Sequence, residues 1–177
     1  IDKVIYASTS CTMAGNPLPW NEDEKLGVQK NPYGYSKATN EAQFIASKID
    51  STIGLRFFTV YGPWGRPDMA LFDFTNNIVK GNPIELFNYG DMVRDFTYVE
   101  NAVQANILAL TTENGKCFGE AFNIGAGGQT SLIELINIIK KELKVNIDPI
   151  FGPNRPGDIP HSNADISKAQ KLLNYDP

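Results

Sequence analysis

KVIYASTS (residues 3–10), followed after a loop by NPYGYSKATNEAQFIASKI (31–49), is the stretch whose reading decides the fold. Lys3 to Ala7 is a short apolar, β-rich run that stops at a Ser-Thr-Ser cluster, as a buried strand does. Residues 11–31 mix Gly, Asn, Pro and charge without periodicity and read as a surface loop. Asn31-Pro32 supplies an N-cap and a proline at the first helical position. This predicts a helix from Tyr33 to about Ile49, with Ala38, Ala42, Ile45, Ala46 and Ile49 along its apolar side.

The same grammar continues outward. Gly54 to Val60 reads as a second strand, ended by the Tyr61-Gly62-Pro63-Trp64-Gly65 turn. A helix is expected from Met69 to Lys80, stopped by Gly81. Pro83 to Phe87 and Asp95 to Val99 are short strand candidates around a turn at Gly90-Asp91. Asn101 to Leu110 reads as a helix and Ala121 to Ile124 as a strand. Ser131 with Glu134 forms a capping box opening a helix that ends near Lys144. Ile147 to Phe151 is a strand candidate, and Ile166 to Leu173 a terminal helix. Strand alternates with helix throughout, which implies an α/β layered fold.

Composition narrows the function classes. A hydrophobic share of 42% in 177 residues supports a real core, and a net charge of −4 with dispersed Lys and Arg argues against a nucleic-acid binder. Two cysteines and one histidine, His161, are too few for a structural zinc site, so no metal is expected and His161 reads as a loop residue. No apolar run approaches the roughly 18 residues of a membrane span, so no membrane association is expected. The unpaired cysteine pattern suits a reducing, cytoplasmic setting. The chain opens on Ile1 and runs straight into a strand, which suggests a start inside a larger fold.

Two features could carry chemistry. Tyr33 and Lys37 stand four apart on the predicted helix and so share a face. A free phenol, with a pKa near 10, is a poor base, and a neighbouring cation favours the phenolate. The spacing alone equally fits an exposed helix pair. Ser8-Thr9-Ser10 lies just beyond a buried strand, where open α/β sheets bind ligands. Its hydroxyls equally fit a loop start that caps nearby backbone. Gly125-Ala126-Gly127-Gly128 resembles a phosphate loop but lacks the third glycine or alanine, since Thr130 stands there.

Strand, hydroxyl cluster, loop and Tyr-x-x-x-Lys helix together resemble the extended short-chain dehydrogenase/reductase superfamily. GLRFFTVYGPWGRPDMALFDFT (54–75) and IELFNYGDMVRDFTYVENAV (84–103) are similar to the nucleotide-sugar 4-epimerase branch of its NAD-dependent epimerase/dehydratase family, above all to UDP-glucuronate 4-epimerases. FNIGAGGQTSLIELI and RPGDIPHSNADISKAQKLL resemble the wider group, so the likeness runs through the whole chain. It implies the C-terminal part of a Rossmann-like fold. Residues 1–60 would supply late strands and the catalytic helix, and 61–177 mainly a small substrate-binding domain whose chain crosses back to the first. The glycine-rich dinucleotide region would precede Ile1, and the chain alone would then be inactive.

The resemblance also implies roles. Tyr33 would be the base, and Lys37 would bind the nicotinamide ribose of NAD and acidify the phenol. Ser10 is the best match for the catalytic hydroxyl, with Thr9 or Ser8 as alternatives. Ser8 and Phe58 would lie on the cofactor side with Tyr33 and Lys37. Thr59, Phe87, Arg94, Arg155 and Asp158 would line the pocket for a UDP-sugar. The planar forks of Arg94 and Arg155 suit diphosphate oxygens, Asp158 would accept from a sugar hydroxyl, and Arg66 would face a sugar carboxylate. Oxidation at sugar C4 and return of the hydride to the other face would invert that centre, leaving NAD unchanged overall. Each arginine has a plainer reading: Arg94 paired with Asp91 or Asp95, Arg66 with Asp68 or Trp64, Arg155 in an ordinary turn. The pattern departs from the family at Met13-Ala14-Gly15, where Tyr-Gly is usual. A dehydratase or decarboxylase is the alternative within the family, although Cys11-Thr12 stands where a dehydratase carries an acid pair. The other alternative is a binding or oligomerisation module, with a second copy of the chain as candidate partner.

Overall fold

Three parallel strands form the main sheet of the computed structural model, which describes residues 2–47 and 49–177. They are β1 (Val4–Thr9), β2 (Thr52–Phe57) and β7 (Glu120–Ile124), hydrogen-bonded in the order β1-β2-β7. The register pairs Val4 with Thr52 and Leu55 with Phe122. Side chains alternate between the two faces of such a sheet. Ile5, Ile53, Leu55, Phe122 and Ile124 turn to one side, where Ala105 and Ala109 of α3 (Val99–Thr111) and Leu173 of α5 (Ser167–Leu173) close the core. Tyr6, Ser8 and Arg56 turn to the other side and meet α1 (Pro32–Ala46). Gly54 is required there, because a Cβ on it would lie 2.5 Å from the Tyr6 hydroxyl oxygen.

The helix α1 starts as its sequence predicts. Asn31 accepts from the Gly34 N–H at 2.8 Å, and Pro32 follows. Its end and its rotation differ from expectation. The last turn closes at Ala46, capped by Ser47, and Lys48 lies outside the described residues. The apolar side expected through Ala42, Ile45 and Ala46 faces outward, with Ile45 70% exposed. The inward face instead runs through Gly34, Lys37, Ala38, Glu41 and Phe44. Phe44 stacks on Tyr6 with ring centroids 4.2 Å apart, and Glu41 pairs with Arg56. A buried carboxylate with a matched cation overrides the hydropathy of three small or aliphatic residues.

A second core lies between α2 (Ala70–Lys80) and α4 (Leu132–Leu143), through Phe74, Ile78, Leu135, Ile136 and Ile139. Gly81 ends α2 in the left-handed region, and Ser131 caps α4 by accepting from the Glu134 N–H. Short pairings surround this core. β3 (Thr59–Tyr61) runs parallel to β6 (Phe96–Tyr98), and β4 (Glu85–Leu86) parallel to β9 (Ile150–Phe151). β5 (Val93–Arg94) runs antiparallel to β8 (Thr130–Ser131). The strand expected over 54–60 is thus two strands broken at Phe58: its N–H makes the last bond of the β2-β7 ladder, to the Ile124 carbonyl at 3.0 Å, and the next N–H, of Thr59, turns to the Asp95 carbonyl at 3.1 Å. The break moves the chain from the three-stranded sheet to the β3-β6 pair. The loop expected over 11–31 opens with a 3-10 turn, Ser10–Met13, capped by Thr9.

Candidate functional site

The carboxyl end of β1, the first turn of α1 and the loop after β3 surround a cavity of about 790 Å³. All twelve residues singled out from the sequence border it: Ser8, Thr9, Ser10, Tyr33, Lys37, Phe58, Thr59, Arg66, Phe87, Arg94, Arg155 and Asp158. The cavity lies where a parallel sheet leaves its strand ends open to ligands.

Tyr33 and Lys37 project from one face of α1. The ammonium lies 6.0 Å from the Tyr33 ring centroid and donates to the Ala7 carbonyl at 3.0 Å. The phenol is half exposed. The three hydroxyls of the Ser-Thr-Ser cluster differ sharply. Ser8 is buried and donates to Glu41. Thr9, also buried, accepts from the Cys11 N–H and caps the 3-10 turn. Ser10 borders the cavity, and its side chain bonds no group among the described residues. Phe58 is almost fully buried against Trp20, Met13 and Ala164, so it forms cavity wall and core together.

Sequence reasoning missed the groups that hold this corner together. Glu41 accepts from Arg56 through both oxygens, at 2.9 Å from Nε and 2.8 Å from Nη2. Arg56 Nη1 reaches Met13 Sδ at 3.2 Å in the 3-10 turn. One buried ion pair therefore joins α1, β1, β2 and the turn bearing Ser10. The only signal for Glu41 was its position four residues beyond Lys37.

The remaining arginines divide by environment. Arg94 donates from Nη1 to the carbonyls of Val93 (3.0 Å) and Pro160 (2.7 Å) rather than to Asp91 or Asp95. Burial pushes its pKa down, and nearby Asp158 opposes that shift. Arg155 is exposed, with its guanidinium 5.5 Å from the Phe87 ring centroid. Its turn closes by the Asp158 N–H donating to the Arg155 carbonyl at 3.1 Å. Arg66 is held in a fork by Asp68, with Nε donating to Oδ1 at 3.0 Å. Both side chains are more than half exposed, at 72% and 61%. The pairing drops the Asp68 pKa below its usual value.

The glycine-rich segment after β7 is accounted for by an internal anion. Fully buried Asp95 accepts from the N–H groups of Ala126 (2.8 Å), Gly127 (3.0 Å) and Ala164 (3.2 Å). The concavity that resembles a phosphate loop is thereby filled by a carboxylate, whose pKa burial raises. Gly125 permits this approach, since a Cβ there would stand 2.8 Å from Asp95 Oδ2. His161 contacts Asp91 at 2.9 Å on the surface, and no metal-type cluster of His, Cys, Asp and Glu occurs among the described residues. Among the same residues no helix is long and apolar enough to cross a membrane.

Comparison with known proteins gives the family and the fold. The family model described as "NAD dependent epimerase/dehydratase family" matches residues 1–125. UDP-glucuronate 4-epimerase 4 of Arabidopsis thaliana is 38% identical over 98% of this chain and 44% of its own length. The crystal structure of the Bacillus cereus UDP-glucuronic acid 4-epimerase, with UDP-glucuronic acid and NAD, superposes with a TM-score of 0.93 at 34% identity, over 99% of this chain and 56% of that one. A UDP-N-acetylglucosamine 4-epimerase from Methanobrevibacter ruminantium, with UDP-N-acetylmuramic acid, superposes at 0.90 and 30% identity, over 100% and 58%. The chain spans about half the length of the curated relatives it matches.

Proposed function

The chain belongs to the NAD-dependent epimerase/dehydratase family, and from that premise we propose that the protein carrying it is a nucleotide-sugar 4-epimerase acting on UDP-glucuronate. The observation that carries the reading is the meeting of Tyr33, Lys37 and Ser10 at one cavity that Arg94 and Arg155 also border. Tyr33 takes the proton of the sugar 4-hydroxyl, and the Lys37 ammonium beside it favours the phenolate. Ser10 holds the same sugar oxygen. Ser8 and Thr9 support the turn instead, because their hydroxyls are already engaged. Arg155 and Arg94 bind diphosphate oxygens, Asp158 accepts from a sugar or ribose hydroxyl, and Thr59 and Phe87 complete the wall.

The donor set fits NAD. Lys37 has three N–H groups and spends one on Ala7, so two remain for ribose oxygens beside the buried Phe58. Bound there, NAD would supply the hydride acceptor and donor for sugar C4. Residues 1–60 serve the cofactor side and 61–177 mainly the substrate. A second copy of the chain is the proposed macromolecular partner, offered the outward face of α1 at Tyr35, Ala42, Ile45 and Ala46, and unpaired Cys11 and Cys117 suit the cytoplasm.

The Arg66–Asp68 pair favours one second reading, a neutral UDP-sugar as substrate, because Arg66 already has a carboxylate partner. Proton NMR of UDP-glucuronate and UDP-glucose incubated with the protein separates the two. Tyr33→Phe is expected to lower turnover by about 100-fold or more while calorimetry still detects UDP-sugar binding. Turnover of neither sugar by the parent protein, or full activity of Tyr33→Phe, overturns the proposal.

A further inference from the structure

The side chain of Asn31 faces two ways. Its Oδ1 accepts from the Gly34 N–H at 2.8 Å and caps α1 two residues before Tyr33. Its Nδ2 donates to the Gly157 carbonyl at 3.0 Å, across 126 residues of chain. Gly157 is the centre of the Arg155-Pro156-Gly157-Asp158 turn, and its φ of +83° lies in the region that favours glycine. The turn packs against the start of α1: a Cβ on Gly157 would stand at ordinary contact distance, 3.4 Å from the Lys30 carbonyl and 3.5 Å from Asn31 Cβ. Asn31 itself borders the cavity between the two groups.

A cap needs only an acceptor; serine and aspartate serve as well as asparagine, and threonine nearly so. The second hydrogen bond needs a donor that those residues cannot extend across the gap. We propose that Asn31 is a positioning residue: its amide sets the distance between the helix bearing Tyr33 and Lys37 and the turn bearing Arg155 and Asp158. This rests on the reading of that cavity as the UDP-sugar site. The diphosphate is held by the turn, and the sugar 4-hydroxyl must reach Tyr33, so the link between turn and helix decides their alignment. Losing it leaves the diphosphate ligands in place and costs alignment.

Asn31→Ser keeps the cap oxygen, adds no charge and removes the amide donor; Asn31→Thr is a second variant of the same design, and Asn31→Ala removes both functions. In the protein carrying this chain, kcat for the UDP-sugar is expected to fall about two- to tenfold in Asn31→Ser and Asn31→Thr, the range one neutral hydrogen bond supports. KM should change less than kcat. Thermal midpoints of these two variants should fall by only a few degrees, and that of Asn31→Ala further, because it loses the cap as well. Amide hydrogen exchange, read by mass spectrometry without substrate, should accelerate over 154–159 and stay unchanged over 33–39. Parent-like kcat in Asn31→Ser and Asn31→Thr would show that Asn31 is only a cap and overturn the proposal, as would unchanged exchange over the turn. A parent protein that turns over no UDP-sugar defeats the proposed function instead, and the exchange comparison still judges the coupling.

Discussion

Replacing Glu41 by leucine tests how this corner of the candidate site is built. Glu41 and Arg56 are 3% and 5% exposed, and the carboxylate takes two guanidinium bonds at 2.8 and 2.9 Å plus the Ser8 hydroxyl. Removing the carboxylate strands a buried guanidinium whose remaining partner is the Met13 sulfur at 3.2 Å. Breaking one side of a buried pair costs about 3–5 kcal/mol. The Ser8 hydroxyl loses its acceptor in the same step, which places Glu41→Leu at the upper end of that range. For a chain of this size that corresponds to a midpoint lowered by roughly 6–20 °C. Glu41→Leu/Arg56→Met removes both charges with similar volume and is expected to recover more than half of the loss, because no buried ion remains. Urea unfolding of parent, single and double variants, followed by circular dichroism, gives the three free energies. A Glu41→Leu loss below about 1 kcal/mol, or a double variant no better than the single, would refute the argument that this pair is one buried electrostatic unit.

Arg66→Leu should lower kcat/KM for UDP-glucuronate by about tenfold and leave UDP-glucose nearly untouched. Equal losses on both sugars, measured by coupled assay, would remove the carboxylate role of Arg66. Asp165 accepts from the Ser167 N–H at 2.9 Å, and that bond above all holds its pKa below the ordinary carboxylate range. A depressed folded-state pKa means stability that is present above the unfolded value of about 3.9 and lost as pH falls through the folded value. Asp165→Ala should therefore be less stable than the parent at pH 7, and thermal midpoints should converge below pH about 4. A gap that persists undiminished into acid would refute the linkage.

The elements were legible where local signals agree. Asn31-Pro32 marked the start of α1, Gly81 the end of α2 and Ser131 the start of α4, and each cap forms as its chemistry requires. The phase of α1 was not legible. Hydropathy counts Ala42, Ile45 and Ala46 as inward and Glu41 as outward, and the partner that reverses this, Arg56, is fifteen residues away on β2. Phe58 reads as strand interior, yet directly after it the Thr59 N–H turns from β7 to the Asp95 carbonyl beside β6, a pairing that no local signal announces. The members of the cavity could be read from the Tyr-x-x-x-Lys, Ser-Thr-Ser and Arg-Pro-Gly-Asp patterns. Its long-range supports could not, because Asn31 to Gly157 and Asp95 to Ala126 and Ala164 arise from folding and leave no spacing in the sequence.

The hydrogen-bond inventory separates support from chemistry at this site. Ser8, Thr9, Glu41, Arg56 and Asp95 are buried, and each is bonded within the protein; a ligand would have to break those bonds to use them. Among the groups that can still bind are the half-exposed Tyr33 phenol, the two remaining Lys37 protons, the Ser10 hydroxyl and the exposed Arg155 fork. These belong to different elements, and each element is fixed by one of the buried pairs or by the Asn31 amide. Arg66 is intermediate, with a partner in Asp68 but in an exposed pair of the kind worth little. An exposed pair can be exchanged for a substrate carboxylate at small cost, whereas the Glu41–Arg56 pair cannot. The same chemical motif, an arginine fork on a carboxylate, thus serves as a fixed support when buried and as an exchangeable contact when exposed.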